Sequence, residues 1–228
     1  MIALTLTLVL LAGPLATERP ELPEEQLLIV TTPSWDATHG VAVLLEGGEV
    51  VAGPTPIRVG RSGLAWGLGE HEGELPAGPT KREGDGRAPA GIFAIGARWE
   101  RDGAAGLACV DDPEAADYNR VVPEPRDGDP PWSSAEDMTD YRVAIWVAHN
   151  PESVPRGGSC IFLHDVRRGD DGETIPTAGC TAFEPDVLDA LSARLRPGAR
   201  LVQLPAPIYQ EVARAWRLPS PARLGLGD

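Results

Sequence analysis

A chain of 228 residues with 42% hydrophobic content is long enough to bury a sizeable core, and that composition excludes a disordered protein. Its 20 basic and 34 acidic residues leave a net charge of -14. Nucleic acid is thereby excluded as a partner, because a phosphate backbone needs a basic footprint, and contact with a membrane is expected only through an uncleaved N-terminal segment.

Residues 1–16 form an apolar run with no Lys or Arg before Arg19. The run is shorter than the ~20 residues of a comfortable membrane span and fits the core of a secretory signal. It is expected to be a signal peptide or an N-terminal anchor, and residues 17–25, polar and proline-containing, a linker. Gln26-Leu27-Leu28-Ile29-Val30 reads as a strand. The segments 41–45 and 49–52 flank Gly47-Gly48 and read as a β-hairpin. Another strand is expected over 56–60. Residues 63–87 lack helical periodicity and read as a long loop, as do the acidic, proline-rich residues 111–137. Between them, 91–99 reads as a strand. Over 141–149, Tyr141, Val143, Ile145, Val147 and His149 alternate onto one face. Residues 159–164 form the strand that ends in His164. The one clear helix starts at Pro185, carries Val187, Leu188, Leu191 and Leu195 on one stripe, and stops at Pro197-Gly198. A closing strand over 201–204 and a short second helix through Ile208, Val212, Ala215 and Trp216 complete the chain. Many short strands and few helices predict a mainly β sandwich or barrel with one or two short packed helices.

Two residues carry the chemistry. His164 ends the apolar run Ile161-Phe162-Leu163, and Cys180 follows sixteen residues later, after Gly179. An imidazole that takes the proton of a thiol leaves a thiolate, the reactive form. Such a thiol is expected to react with iodoacetamide well below ~pH 8. The backbone N–H groups of Gly179 and Cys180 are candidate oxyanion donors. Against this stand a buried Cys acting as a small hydrophobe and a satisfied core His. Three cysteines are an odd set: a Cys109–Cys160 disulfide that leaves Cys180 free, and three unpaired thiols, are both open. Zinc is disfavoured and no metal or other cofactor is expected, since on a strand Cys160 and His164 stand ~13 Å apart at ~3.3 Å per residue.

The His164 to Thr177-Ala178-Gly179-Cys180 spacing resembles the catalytic segment of the L,D-transpeptidases, the YkuD-type domain, in which a His-Gly pair is followed by Ser-His-Gly-Cys. Upstream, Ala88-Pro89-Ala90-Gly91-Ile92-Phe93 is similar to the family's second signature, with Ala88 in place of threonine. The resemblance spans roughly residues 27–204. It implies a β-sandwich with its active site in a loop-covered cleft, and a catalytic domain over 26–205 followed by a C-terminal helix and tail over 206–228. It implies an enzyme of peptidoglycan, exported to the periplasm or cell wall and acting on stem peptides; a monomer is expected. Cys180 is then the nucleophile that attacks the carbonyl of a stem-peptide bond next to a diamino acid and forms an acyl-enzyme, and His164 the base that later protonates the leaving amine; a backbone carbonyl suffices to orient the ring. Transfer to an amine acceptor gives a cross-link. An L,D-carboxypeptidase or amide hydrolase of the same fold, and a non-catalytic wall-binding domain, are the alternatives.

Several positions depart from the pattern. Asp165 stands in place of Gly, Ala178 in place of His, and Ala182 in place of Arg. Thr177 keeps the hydroxyl. Thr177, His149, Arg167 and Lys81, the single lysine of the chain, are candidate substrate contacts. Each cation is more simply read as a solvated surface charge, and His149-Asn150 as a structural strand-end pair.

Overall fold

The computed structural model describes residues 26–71 and 73–225. The expected signal peptide or anchor, the linker and the last three residues lie outside them. Fourteen strands and two helices follow in order: β1 (Gln26–Thr32), β2 (His39–Glu46), β3 (Glu49–Arg58), β4 (Leu64–Trp66), β5 (Ala88–Glu100), β6 (Leu107–Val110), β7 (Val121–Pro123), β8 (Ala135–Asp137), β9 (Val143–Val147), β10 (Phe162–Asp165), β11 (Arg167–Arg168), β12 (Thr174–Ile175), β13 (Thr181–Phe183), α1 (Pro185–Arg194), β14 (Arg200–Pro205) and α2 (Ala206–Val212).

The fold is mainly β. Its main sheet runs β14-β1-β2-β3-β13-β10-β9-β5-β4, and β14 also pairs with β5. That extra pairing closes the sheet on itself, so the two layers of the sandwich are parts of one continuous surface. Strand β5 makes closure possible because it is long. Its first half pairs with β4 and β14, and its second half, after a register shift between Ile95 and Arg98, pairs with β9. The β2–β3 hairpin turns at Gly47 and Gly48, with φ of 53° and 80°, the left-handed values such a turn needs at both central residues. The strand expected over 56–60 is the far end of β3.

Two apolar clusters result. The larger fills the inside of the closed sheet with Leu28, Ile92, Phe93, Leu163 and Phe183, and takes in Leu188 and Leu191 of α1 and Ile208 and Tyr209 of α2. Full burial of each large side chain contributes about 1.5–3 kcal/mol, so this cluster dominates the stability. The smaller contains Cys109, Tyr141, Ala144, Cys160, Phe162 and Cys180.

The sequence expectation for 111–137 is corrected here. That stretch carries β7 and β8, which pair on either side of β6 as a small antiparallel sheet. A disulfide between Cys109 of β6 and Cys160, 51 residues apart, fastens it to the segment before β10. The alternation over 141–149 holds only for Val143, Ile145 and Val147. A 3-10 turn over Met138–Asp140 precedes Tyr141, whose ring lies in the smaller cluster with Phe162, on the other side from Val143. Strand β10 starts at Phe162 and not at 159, because Cys160 has a φ of 53° that no strand accommodates.

Candidate active site

β10 and β13 run parallel with His164 opposite Ala182 and Leu163 opposite Thr181. This register sets Cys180, the residue before β13, beside the start of β10, where the Phe162 amide donates to its Sγ at 3.3 Å. The cysteine loop is pegged to the chain after β3: the Thr177 amide donates to the Val59 carbonyl and the Arg61 amide to the Thr177 carbonyl. Thr177 Oγ1 donates to the Cys180 carbonyl at 2.6 Å and accepts from the Gly179 amide at 3.2 Å. Thr177 thus shapes the turn and engages the Gly179 N–H, one of the two candidate oxyanion donors.

His164 Nδ1 lies 2.7 Å from the carbonyl of Asp165. A carbonyl only accepts, so Nδ1 carries the proton and Nε2 keeps its lone pair. The Asp165 carboxylate points elsewhere, into a two-pronged pair with Arg142, which also holds Asp189 of α1. The aspartate at this position therefore serves through its backbone and braces α1 through its side chain. Tyr141 packs against the imidazole with ring centroids 5.3 Å apart.

Cys180, His164, Tyr141, Thr177, Ala178 and Arg167 line one cleft of ≈ 510 Å³, together with an acidic wall of Glu136, Asp137 and Asp140. The cysteine and histidine singled out by spacing are thus brought into one cavity. In this state the thiol points its proton at the Cys160 carbonyl, 3.5 Å away, and not at His164. Burial and the nearby Glu136 carboxylate push the Cys180 thiol up to about 12, and burial pulls His164 down to about 4. Both groups are neutral at rest. Where the sequence suggested reaction well below ~pH 8, this resting state predicts that iodoacetamide labels folded Cys180 slowly at pH 7, at a rate that keeps rising to pH 10 without a plateau. A plateau near pH 6–7 in the labelling rate would contradict the buried, neutral thiol.

Two other sequence candidates lie outside the cleft lining. Lys81 is buried, with Nζ 2.7 Å from Asp85 and 2.7 Å from the Arg82 carbonyl, so its ammonium is paired within its own loop and reaches Cys180 only through its field. His149 is 1% exposed; Nδ1 accepts from the Leu68 amide and Nε2 donates to the Gly157 carbonyl. It braces the loop after β9. Behind it stand Gly91 and Phe93 of the second signature. A side chain at Gly91 would collide with the His71 ring at 2.2 Å, and the Phe93 ring meets His149 edge-on at 5.8 Å. The signature is framework rather than cleft. Cys160, weighed as a zinc ligand, is consumed by the disulfide.

Sequence reasoning missed Glu136 and Tyr141. The Tyr141 hydroxyl donates to Glu136 Oε2, and burial, the largest cause, raises the Glu136 carboxyl to about 7. This acid costs the fold stability. Its folded pKa exceeds the unfolded one, so the native state holds the proton between about pH 4.5 and 7, and its contribution to stability falls as pH rises through that window. Glu136→Gln is therefore expected to stabilise the protein at pH 8 by about 1–3 kcal/mol and to have little effect at pH 4. Denaturant melts of the two proteins across this range check the sign.

The family model of the L,D-transpeptidase catalytic domain (YkuD) matches residues 35–204. Among solved structures, the helical cell shape determining protein Pgp2 from Campylobacter jejuni aligns at 16% identity with a TM-score of 0.39, over 78% of this chain and 48% of that one. An L,D-transpeptidase from Xylanimonas cellulosilytica aligns at 15% identity with a TM-score of 0.36, over 81% and 63%. The chain spans about half to two thirds of the length of these structures. No curated protein sequence matches it.

Proposed function

The chain belongs to the YkuD family of L,D-transpeptidase catalytic domains, and from that membership we propose that it is a cysteine acyl-transfer enzyme acting on peptidoglycan stem peptides. The observation that carries this reading is the shared cleft of Cys180 and His164, with the imidazole fixed by the Asp165 carbonyl and its Nε2 left unprotonated. The catalytic unit is residues 26–205, exported behind residues 1–16 and working as a monomer.

The residues present support the following course. On binding, the donor peptide displaces the thiol from the Cys160 carbonyl toward His164. Nε2 takes the thiol proton as Sγ forms a bond to the peptide carbonyl carbon. The charge that develops on the carbonyl oxygen is met by the Cys180 N–H, since the Gly179 N–H is held by Thr177. Collapse breaks the C–N bond, and His164 returns the proton to the departing amine. The thioester then passes its acyl group to the amine of a second stem peptide. Arg167, in the cleft wall, supplies the cation for a donor carboxylate.

Hydrolysis in place of transfer is the second reading, favoured by Ala178, an apolar residue in the cleft lining where the resemblance has an imidazole. Mass spectrometry of defined disaccharide tetrapeptides incubated with the wild type and with Cys180→Ala separates the cases. A cross-linked dimer made by the wild type alone supports transfer, and loss of the terminal residue without dimer supports hydrolysis. Unchanged peptides with no thioester adduct on Cys180 would refute the enzyme reading and leave a wall-binding domain.

A further inference from the structure

We propose that Glu136 determines substrate specificity: together with Arg167 it reads a zwitterionic amino-acid end, an ammonium and a carboxylate on one carbon, at the tip of the donor's diamino-acid side chain. The proposal rests on the acyl-transfer reading of the cleft and deepens it.

Glu136 and Arg167 line the cavity that holds Cys180 and His164. Both are mounted on one ring. The Tyr141 hydroxyl donates to the Glu136 carboxyl, and the Arg167 guanidinium lies 5.9 Å from the Tyr141 ring centroid. Opposite charges so close usually pair, yet among the described residues neither side chain forms an ion pair, with the other or with any third residue. Nearby arginines are spent: Arg142 holds Asp165 and Asp189, and Arg168 grips Glu184 with both oxygens at 2.8 Å. The tyrosine ring thus holds one cation and one acid apart inside a cleft, each with capacity to spare.

The remaining anions of the wall are partly used. Asp137 Oδ1 accepts from the amide and hydroxyl of Thr139, which fixes the turn after β8. Glu136 is different. Tyr141 is its one hydrogen-bond partner among the described residues, and its burial opposes the fold. A side chain that costs stability and faces a cleft is placed for a ligand. The matching chemistry is an ammonium for Glu136 beside a carboxylate for Arg167. A charge-assisted hydrogen bond of this kind, lost on substitution, changes affinity by about 10- to 100-fold.

Three synthetic tetrapeptides test this, alike except at the diamino-acid side chain: one with the free zwitterion, one with its amine acetylated, one with its carboxylate amidated. Their dissociation constants are measured by calorimetry on the folded Cys180→Ala protein, and turnover is followed separately on the wild type. The free zwitterion is expected to bind about 10- to 100-fold tighter than either blocked peptide. Glu136→Gln should erase the preference over the acetylated peptide and keep the preference over the amidated one. Arg167→Gln should do the reverse. Glu136→Asp, which keeps the charge, should retain most of the first preference, and that rescue separates recognition from a merely structural effect. Equal weakening of all three peptides by Glu136→Gln, or an unchanged preference, would overturn the proposal. Selective binding without any acylation of wild-type Cys180 would leave the recognition standing and sink the acyl-transfer reading instead.

Discussion

Cys180→Ala is expected to form no acyl-enzyme and to lose at least about 10³-fold in kcat, with a melting curve close to that of the wild type. The side chain sits in a small apolar cluster, where it donates one weak sulfur hydrogen bond and accepts another from the Phe162 amide, so its removal disturbs packing little. His164→Gln should cost about 10²- to 10⁴-fold, the usual worth of a positioned base. The two losses should not add, because sulfur and imidazole act as one unit; the double variant should be no slower than the worse single one. The pH dependence follows from the resting state. Burial raises the thiol and lowers the imidazole, so moving the proton between them in the empty site is uphill. The thiolate is therefore made only as the carbonyl is attacked. kcat/KM should rise with pH through about 4, as His164 becomes neutral, and then stay level to at least pH 9 unless substrate groups titrate. Single-turnover acylation followed by mass spectrometry at each pH measures it. A drop in rate above pH 5 in the first step would mean that an imidazolium is required, against this mechanism.

Removing the disulfide by the double change Cys109→Ser and Cys160→Ser is expected to destabilise the protein by about 4 kcal/mol, the chain-entropy value for closing a loop of this length, and to lower Tm by about 8–16 °C. The effect should reach the cleft. Cys109 lies opposite Glu136 across the β6–β8 pair, and the Cys160 carbonyl is the resting acceptor of the Cys180 thiol. Acylation should slow along with the loss of stability. Dithiothreitol should lower the Tm of the wild type to that of the double variant and leave the variant unchanged. Equal melting temperatures in the absence of reductant would show that the bridge contributes nothing.

The parts of the fold written in local sequence were readable there. Gly47-Gly48 marks its hairpin because two consecutive left-handed residues are needed, and Pro185 and the leucine stripe mark α1. Within the cleft, Cys180, Thr177, His164 and Arg167 cluster within a short stretch, so their spacing, set beside the family pattern, nominated them. Glu136 and Tyr141 carry no such signal. Glu136 sits in a three-residue strand too short to show a period, inside a run of acids that read as solvated. Tyr141 keeps step with Val143 in the sequence, and only the preceding 3-10 turn swings it to the other side. Lys81 and His149 mislead for the opposite reason. A rare lysine and a strand-end histidine look available, and the partners that engage them, the carboxylate of Asp85 and the backbone of residues 68 and 157, come from loops without regular pattern.

The pairing of β14 with both β1 and β5 has a consequence for how the molecule comes into being. Leu28 is the partner of Leu201, and Gly91 of Gln203, so two staves of this barrel are joined only once β14 has left the ribosome. Until about residue 205 has emerged, β1 and β5 each present a raw hydrogen-bonding edge with nothing to zip against. Contacts spanning most of the chain also make assembly slow. A nascent chain of this topology stays threadable until β14 has emerged to close the sheet.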